Sequence, residues 1–460
     1  MKVLLLRPNP DNERFSLGPF FRVEPLGLEY IGAALRALDH EPMIADLRFR
    51  PGVDTWIHRT RPRVVAISCL HSLEYDRVRE TAREVRRGAP EALVVVGGHA
   101  AAVFPTPLES DEIDAICLDD GEEVMPALVE AIERGMPLDT VPGLRLRMRD
   151  GWCSTQPLAE RMNLGRVPAP ARDLVERHRN GYHCLLFKPV WLVETARGCP
   201  FRCTFCSVWQ LYDRLFRERS VGAVVEDFAS AGDAIFVADD LFWNHPERSR
   251  ELAEALRRRG VRKRWPLVQT RTDIICRQSE LLEVWRPLAK DFDIFFGFEA
   301  ARIARSVGYG VNGNFLVDPE WTEKDFEELW DFVARHGFRR AGFTILMPLP
   351  GTEFFERLAP RLAGQPWFKY DTHHLLWEPR LGARRFFELY AETWRRSILN
   401  TSGEKKWLDW LRQIRPTQVP YLTRVLWRTQ KMMKAEAYLR EYETTMAAPV
   451  GFPARAAAAS

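Results

Sequence analysis

The chain is predicted to be an α/β protein. It should hold an N-terminal doubly wound, flavodoxin-like domain, then an open (β/α)6 partial TIM barrel, then a mostly helical C-terminal region. Three observations predict this. Residues 1 to about 135 alternate short apolar runs with helical patterns. The alternation returns from residue 191 to about 357 and fits six βα units. From 360 to 448 the strand signals stop and aromatic residues accumulate. The expected divisions are 1–140, a linker over 141–190, a core over 191–357, a C-terminal capping region over 358–448 and a disordered tail over 449–460.

In the first domain the runs at 3–6, 64–67 and 93–96 are apolar throughout, and 114–117 is weaker. Continuous apolar runs are the mark of parallel strands covered on both faces. Helical patterns lie between them at 26–38, 75–87 and 124–133. Such sheets take ligands at the carboxyl ends of their strands. One strand runs directly into Gly97, Gly98 and His99. Two glycines there permit either a tight turn or a close approach of ligand to backbone. The run Asp119-Asp120-Gly121-Glu122-Glu123 opens the last helix with acidic residues suited to an N-terminus. Residues 141–190 are rich in Pro and Arg and read as a connector with a short hairpin at 144–152.

The second set of strands is expected at 191–195, 234–237, 267–269, 294–296, 313–317 and 342–346, with helices at 248–258, 280–288 and 322–336. Functional groups belong at the strand carboxyl ends of such a barrel. Asp239 and Asp240 follow the second strand, where they can bind a polar group or cap the next helix. Arg271 ends the third strand, with a guanidinium suited to a carboxylate. Gly297 and Glu299 end the fourth, and Ile345 lies near the end of the last.

Composition bounds the function. The 460 residues suffice for two or three domains, and the 46 % hydrophobic content is ordinary. A net charge of +3 gives no reason to expect a nucleic-acid partner. No apolar run is long enough to span a bilayer, and the first residues are too soon charged for a signal peptide. A cytoplasmic location is expected. The stretch 423–442 carries Arg424, Arg428, Lys431 and Lys434. This basic face either is solvated or makes a peripheral contact at the inner face of a membrane.

The sharpest signal is Cys199, Cys203 and Cys206, spaced C-x3-C-x2-C. Three thiolates so close can hold three irons of a [4Fe–4S] cluster and leave the fourth open to a small molecule. A structural zinc site wants four ligands, and the nearest other candidates are Cys184, His183 and Cys276, none at zinc spacing. Eight cysteines in 460 residues do not make a disulfide framework. With Gly198, Pro200 and the aromatic Phe205, the motif resembles that of the radical S-adenosylmethionine (SAM) enzymes. The resemblance implies SAM as a cofactor and places Asp239, Arg271, Gly297, Glu299 and Ile345 around it.

The first domain resembles the cobalamin-binding domain found ahead of many radical SAM cores. The likeness rests on Pro25-Leu26-Gly27, on Gly97-Gly98 followed by Pro105, on Gly121-Glu122-Glu123, and on Ser68 at the place of a small pocket residue. The Asp-x-His-x-x-Gly signature of the lower cobalt ligand is absent: Asp46-Leu47-Arg48 has arginine in the histidine place. His71 and His99 lie near the expected pocket, as plain loop histidines or as cobalt ligands. The segment after Glu299 is about one helical element shorter than in relatives.

The whole resembles the cobalamin-dependent, class B radical SAM methyltransferases, and among them those that methylate hopanoids at C-3. The resemblance implies a [4Fe–4S] cluster, SAM and cobalamin. It also implies an apolar polycyclic lipid or tetrapyrrole substrate, methyl transfer to an unactivated carbon, and an electron donor such as ferredoxin or flavodoxin. A non-methylating cyclase of tetrapyrrole biosynthesis and a cluster-only binding protein are the other readings.

Overall fold

The computed structural model describes residues 1–10, 21–184, 187–295, 300–336, 338, 340–362, 364–399 and 419–446. Gly297, Glu299, Trp407, Trp410 and the tail at 449–460 lie outside the described residues. The chain divides into two compact units, one of Met1–Asp11 and Phe20–Asn312, the other of Asn12–Pro19 and Gly313–Ser460.

The first unit begins with strand β1 (Lys2–Arg7) and helix α1 (Leu26–Arg36). Next come β2 (Glu41–Asp46), α2 (Val53–Thr60), β3 (Val64–Ser68), α3 (Tyr75–Gly88), β4 (Leu93–Gly97) and the short α4 (His99–Val103). β5 (Ala115–Cys117) and α5 (Gly121–Arg134) complete the alternation. The sheet order is β2-β1-β3-β4-β5, parallel throughout, which is the doubly wound arrangement expected. Every residue of β3 is buried, as a strand covered on both faces requires. Tyr75, Val78, Ala82 and Val85 put one apolar stripe of α3 on the sheet. α5 starts three residues earlier than its apolar pattern indicated, because its first turn is polar, and ends at Gly135 with φ +65°.

Residues 141–190 do not behave as a connector. Strands β6 (Leu144–Met148) and β7 (Gly151–Ser154) extend the first sheet antiparallel from β5. Leu144 and Leu146 point inward, and Val175, Tyr182, Cys184 and Val190 join the same core. The Pro and Arg content hid this, because the arginines here are ion-pair partners. Glu24, fully buried, accepts from Arg172 at 2.7 Å, from Arg179, and from the Leu192 backbone N–H at 2.6 Å. Arg172 also reaches Asp227 at 2.6 Å. Phe187 stacks on Trp265 at 3.8 Å, so one apolar core continues into the second sheet.

That sheet opens with β8 (Trp191–Val193), then α6 (Val208–Leu211), α7 (Val221–Ser230), β9 (Ala234–Val237), α8 (Pro246–Arg258) and β10 (Trp265–Gln269). α9 (Thr272–Arg277) and α10 (Glu280–Trp285) lead to β11 (Asp293–Phe295), and α11 (Ala301–Ser306) to β12 (Gly310–Val317). The strands pair in parallel in the order β8-β9-β10-β11-β12. The fourth βα unit holds only the six-residue α11.

The second unit holds the end of β12, then α12 (Glu323–His336), β13 (Arg340–Ile345), α13 (Glu353–Leu362) and α14 (Ala383–Leu399). Within this unit β13 lies beside the end of β12. The helix expected over 423–442 is two, α15 (Val419–Met432) and α16 (Ala435–Met446). The aromatics of this unit pack on one another. Phe386, Phe387 and Tyr390 are essentially inaccessible, and Phe387 stacks on Tyr438 at 5.2 Å. They build a core rather than line an open pocket. No described helix is long and apolar enough to cross a membrane.

One buried carboxyl in the first unit, Glu29, lacks hydrogen bonds. Glu29 on α1 is fully buried, neither carboxylate oxygen is hydrogen-bonded, and its nearest cation, Arg172, is 3.7 Å away. Burial, aided by Glu24, raises its pKa well above the ordinary value. The unfolded chain ionises above the ordinary pKa while the folded carboxyl stays protonated. Stability therefore falls as pH rises, by about 1.4 kcal/mol per pH unit, until the folded pKa is reached. Glu29→Gln should remove that slope and hold or raise Tm at pH 7. Tm measured between pH 5 and 8 checks it, and an unchanged slope would mean that Glu29 is ionised.

Candidate cofactor sites

The cluster loop leaves β8 through Thr195 and Arg197. Gly198 has φ +95°, and a Cβ there would collide with the Leu215 carbonyl oxygen, so the turn into Cys199 requires glycine. Cys199, Cys203 and Cys206 are half-buried and unbridged. The Cys206 N–H donates to the Cys203 carbonyl at 3.1 Å, which curls the loop. Burial pushes the Cys199 and Cys206 thiols up, and each also feels Cys203. Among the described residues no three His, Cys, Asp or Glu side chains converge as on a single ion. Three half-buried, unbridged thiols in one curled loop are a donor set that fits a four-iron cube. Phe205 is 41 % exposed beside them, and Trp209 Nε1 donates to the Cys203 carbonyl at 3.0 Å.

Asp239 and Asp240, at the end of β9, have different duties. Asp239 is buried and accepts from the Thr195 N–H at 2.6 Å and the Thr195 hydroxyl at 2.5 Å. It is thus a brace for the entry to the cluster loop rather than a free ligand. Asp240 is partly exposed, accepts from the Gly198 N–H at 3.2 Å, and acts electrostatically on Cys199 and Cys206. Burial raises Asp239 to about 7 and Asp240 to about 6. Arg271 stacks on Phe201 of the cluster loop at 3.8 Å and gives only its Nε to Asp273, at 2.9 Å. Ile345 lies in the second unit, buried at the end of β13.

At the carboxyl edge of the first sheet, Ser68 and Gly97 are register partners. Gly98 is exposed with φ +111°, and a Cβ there would lie 2.7 Å from the Cys69 carbonyl oxygen. The bare backbone is therefore obligatory and open. Buried Glu74 accepts from Arg7 at 2.9 and 2.6 Å and from the Leu70 N–H at 2.9 Å, fixing the loop that follows β3. His71 is solvent-exposed, yet desolvation lowers its pKa. Leu70, 38 % exposed, lies beside it. His99 is held down to about 4 by burial and by His71, so it is neutral at physiological pH. The open backbone at Gly98 lets a ligand approach this edge closely. Arg48, in the histidine place of the missing signature, folds back on Asp46 at 2.8 and 2.6 Å and on the Val23 carbonyl at 2.8 Å. It is committed to the fold.

Residues 20–129 match the B12 binding domain family. Over 98 % of its length the chain is 28 % identical to the hopanoid C-3 methylase of Methylococcus capsulatus, covering 92 % of that protein. It is 26 % identical over 81 % of its length to an anaerobic magnesium-protoporphyrin IX monomethyl ester cyclase of Rubrivivax gelatinosus, covering 72 % of it. The fold matches that of OxsB, a cobalamin-dependent SAM radical enzyme, with a TM-score of 0.67 over 97 % of this chain and 75 % of that one, at 14 % identity. The chain thus has a B12-binding match at residues 20–129 and shares the fold of a cobalamin-dependent SAM radical enzyme.

Arginines of the second sheet's loops hold the B12-binding domain at its last loop. Buried Arg197 donates to Asp120 at 3.0 Å, to Glu122 at 2.8 Å and to Glu194 at 2.9 Å. Arg217 adds two bonds to Asp120, at 2.6 and 3.1 Å. Against a burial that would lower it, Glu122 and Glu194 raise the Arg197 pKa well above its ordinary value. Glu122, expected at the cofactor, is thus spent on this bridge, and a Cβ on Gly121 would press on Ile31 at 2.9 Å. Sequence reasoning missed Arg197, Arg217, Phe201 and Ser207. The one signal was the position of Arg197 two residues before Cys199, which points to the loop but not to its partner.

Removing Arg197 strands three carboxylates, of which only Asp120 keeps an arginine. Arg197→Met should cost about 3–5 kcal/mol of stability in urea unfolding. Arg197→Lys should recover only part, because an ammonium lacks the guanidinium fork. A cost below about 1 kcal/mol would place the bridge among solvent-screened surface pairs.

Proposed function

We propose that the chain is a radical SAM, cobalamin-dependent C-methyltransferase acting on an unactivated carbon of an apolar substrate, with C-3 of a hopanoid A ring as the leading candidate. The observation that carries the proposal is the joining, in one compact unit, of an exposed-backbone edge in a B12-binding domain to a loop of three half-buried thiols. Near full-length similarity to a hopanoid C-3 methylase supports the substrate.

With both cofactors bound, the cluster and SAM supply a carbon-centred radical and cobalamin supplies the methyl group. In this reading Cys199, Cys203 and Cys206 hold the cluster, and Gly198 sets their turn. Asp240 takes the SAM ammonium, an interaction that would draw off its proton and lower its raised pKa. Arg271, oriented by Phe201 and Asp273, offers its terminal nitrogens to the SAM carboxylate. Ser68, Gly97 and Gly98 take the cobalamin edge. A ferredoxin or flavodoxin supplies electrons. Trp427, 61 % exposed, with Lys431 over its ring at 5.5 Å, offers a peripheral foothold on a membrane that holds a lipid substrate.

Similarity to the cyclase favours a second reading, a non-methylating enzyme of tetrapyrrole chemistry. One experiment separates them. The protein is reconstituted anaerobically with iron, sulfide and cobalamin, then given reductant, SAM with a deuterated methyl, and a hopanoid extract. Mass spectrometry should find deoxyadenosine and labelled hopanoid. Deoxyadenosine with no labelled product from hopanoid or tetrapyrrole substrates would overturn the methyltransferase reading.

A further inference from the structure

A side-chain hydrogen bond joins the two candidate cofactor loops. His99 Nε2, one residue past Gly98, lies 2.7 Å from the hydroxyl of Ser207, one residue past Cys206. Ser207 is buried and stands at the N-cap of α6. A serine there ordinarily accepts from its own helix, at a gain of about 1 kcal/mol. The Ser207 hydroxyl makes no such bond. It turns instead to a histidine about a hundred residues earlier, in the other domain. The short helices that follow each residue, α4 and α6, pack together. Exposed His71 acts on His99 electrostatically and so lies close to it. The line His71, His99, Ser207, Cys206 thus runs from the Gly97-Gly98 edge to the cluster loop.

We infer that His99 and Ser207 are positioning residues that couple the two cofactor sites, so that cobalamin in the first domain tightens the cluster loop and the assembled cluster tightens cobalamin. The inference rests on the proposed cofactor assignment. Its physical basis is constraint. The cluster fixes Cys206, hence Ser207, hence His99 and the Gly98 backbone against which the corrinoid would lie. A loop already ordered by one ligand need not be ordered again by the next. Linkage makes the effect reciprocal. His99 stays neutral across the physiological range, so the link needs no change of charge.

The test is binding rather than turnover. Hydroxocobalamin affinity is measured by tryptophan-fluorescence quenching on the full chain, once without cluster and once after anaerobic reconstitution. Wild type should bind at least about fivefold tighter with the cluster present. In Ser207→Ala the cluster-free affinity should be unchanged and the ratio should fall below about twofold. Ser207→Thr, which keeps a hydroxyl, should restore the ratio, and His99→Ala should lose it. A wild-type ratio near one, or a full ratio in Ser207→Ala, overturns the inference. No cobalamin binding by wild type in either state overturns the cofactor assignment as well, which separates the two failures.

Discussion

A buried guanidinium, that of Arg197, is the interaction on which the first unit depends. Its donors are shared among Asp120 and Glu122 of the B12-binding domain and Glu194 of the strand exit. It stands two residues before the first cluster cysteine. The ionic contact therefore fixes the origin of the cluster loop and the start of α5 together. Such a pair is not retained for raw stability, since apolar residues of like volume often do as well. Its consequence is register, because one guanidinium ties the last loop of the B12-binding domain to the exit of β8.

The same logic repeats deeper in the unit. Glu24 gathers Arg172, Arg179 and the first backbone amide of β8. Asp227 gathers Arg172 and Arg219, and Arg219 also reaches the Tyr30 hydroxyl at 3.0 Å. These polar clusters sit where apolar faces of the two sheets meet. They leave little freedom for sliding. The cofactor edges inherit that rigidity, which is what a site needs when two large cofactors must share one substrate carbon.

Much of this was legible in the sequence. β3 and β4 announced themselves as unbroken apolar runs, and the three cysteines fixed the cluster loop. Gly98 was correctly a special position, and its positive φ gives the reason. The connector reading of 141–190 failed because arginine content suggests solvent, whereas Arg172 and Arg179 both turn inward onto Glu24, more than a hundred residues earlier. Asp239 and Asp240 could not be told apart from composition. Only the fold shows that Thr195 claims one and leaves the other facing the cysteines. Glu122 was misread for the same reason, because a helix-opening acid looks alike whether it meets a ligand or Arg197. The aromatics that accumulate after residue 360 marked a capping region, and ring-on-ring packing spends Phe386, Phe387 and Tyr390 on a core.

The central claim is that one compact unit holds cobalamin and the iron–sulfur cluster side by side across the Arg197 bridge. Electron paramagnetic resonance tests it directly, on protein carrying both cofactors and reduced so that cobalt(II) and the cluster are each paramagnetic. Adjacent sites predict spectra broadened or split beyond the sum of the two singly loaded proteins. A spectrum equal to that sum would mean the two centres are far apart, and would contradict the account.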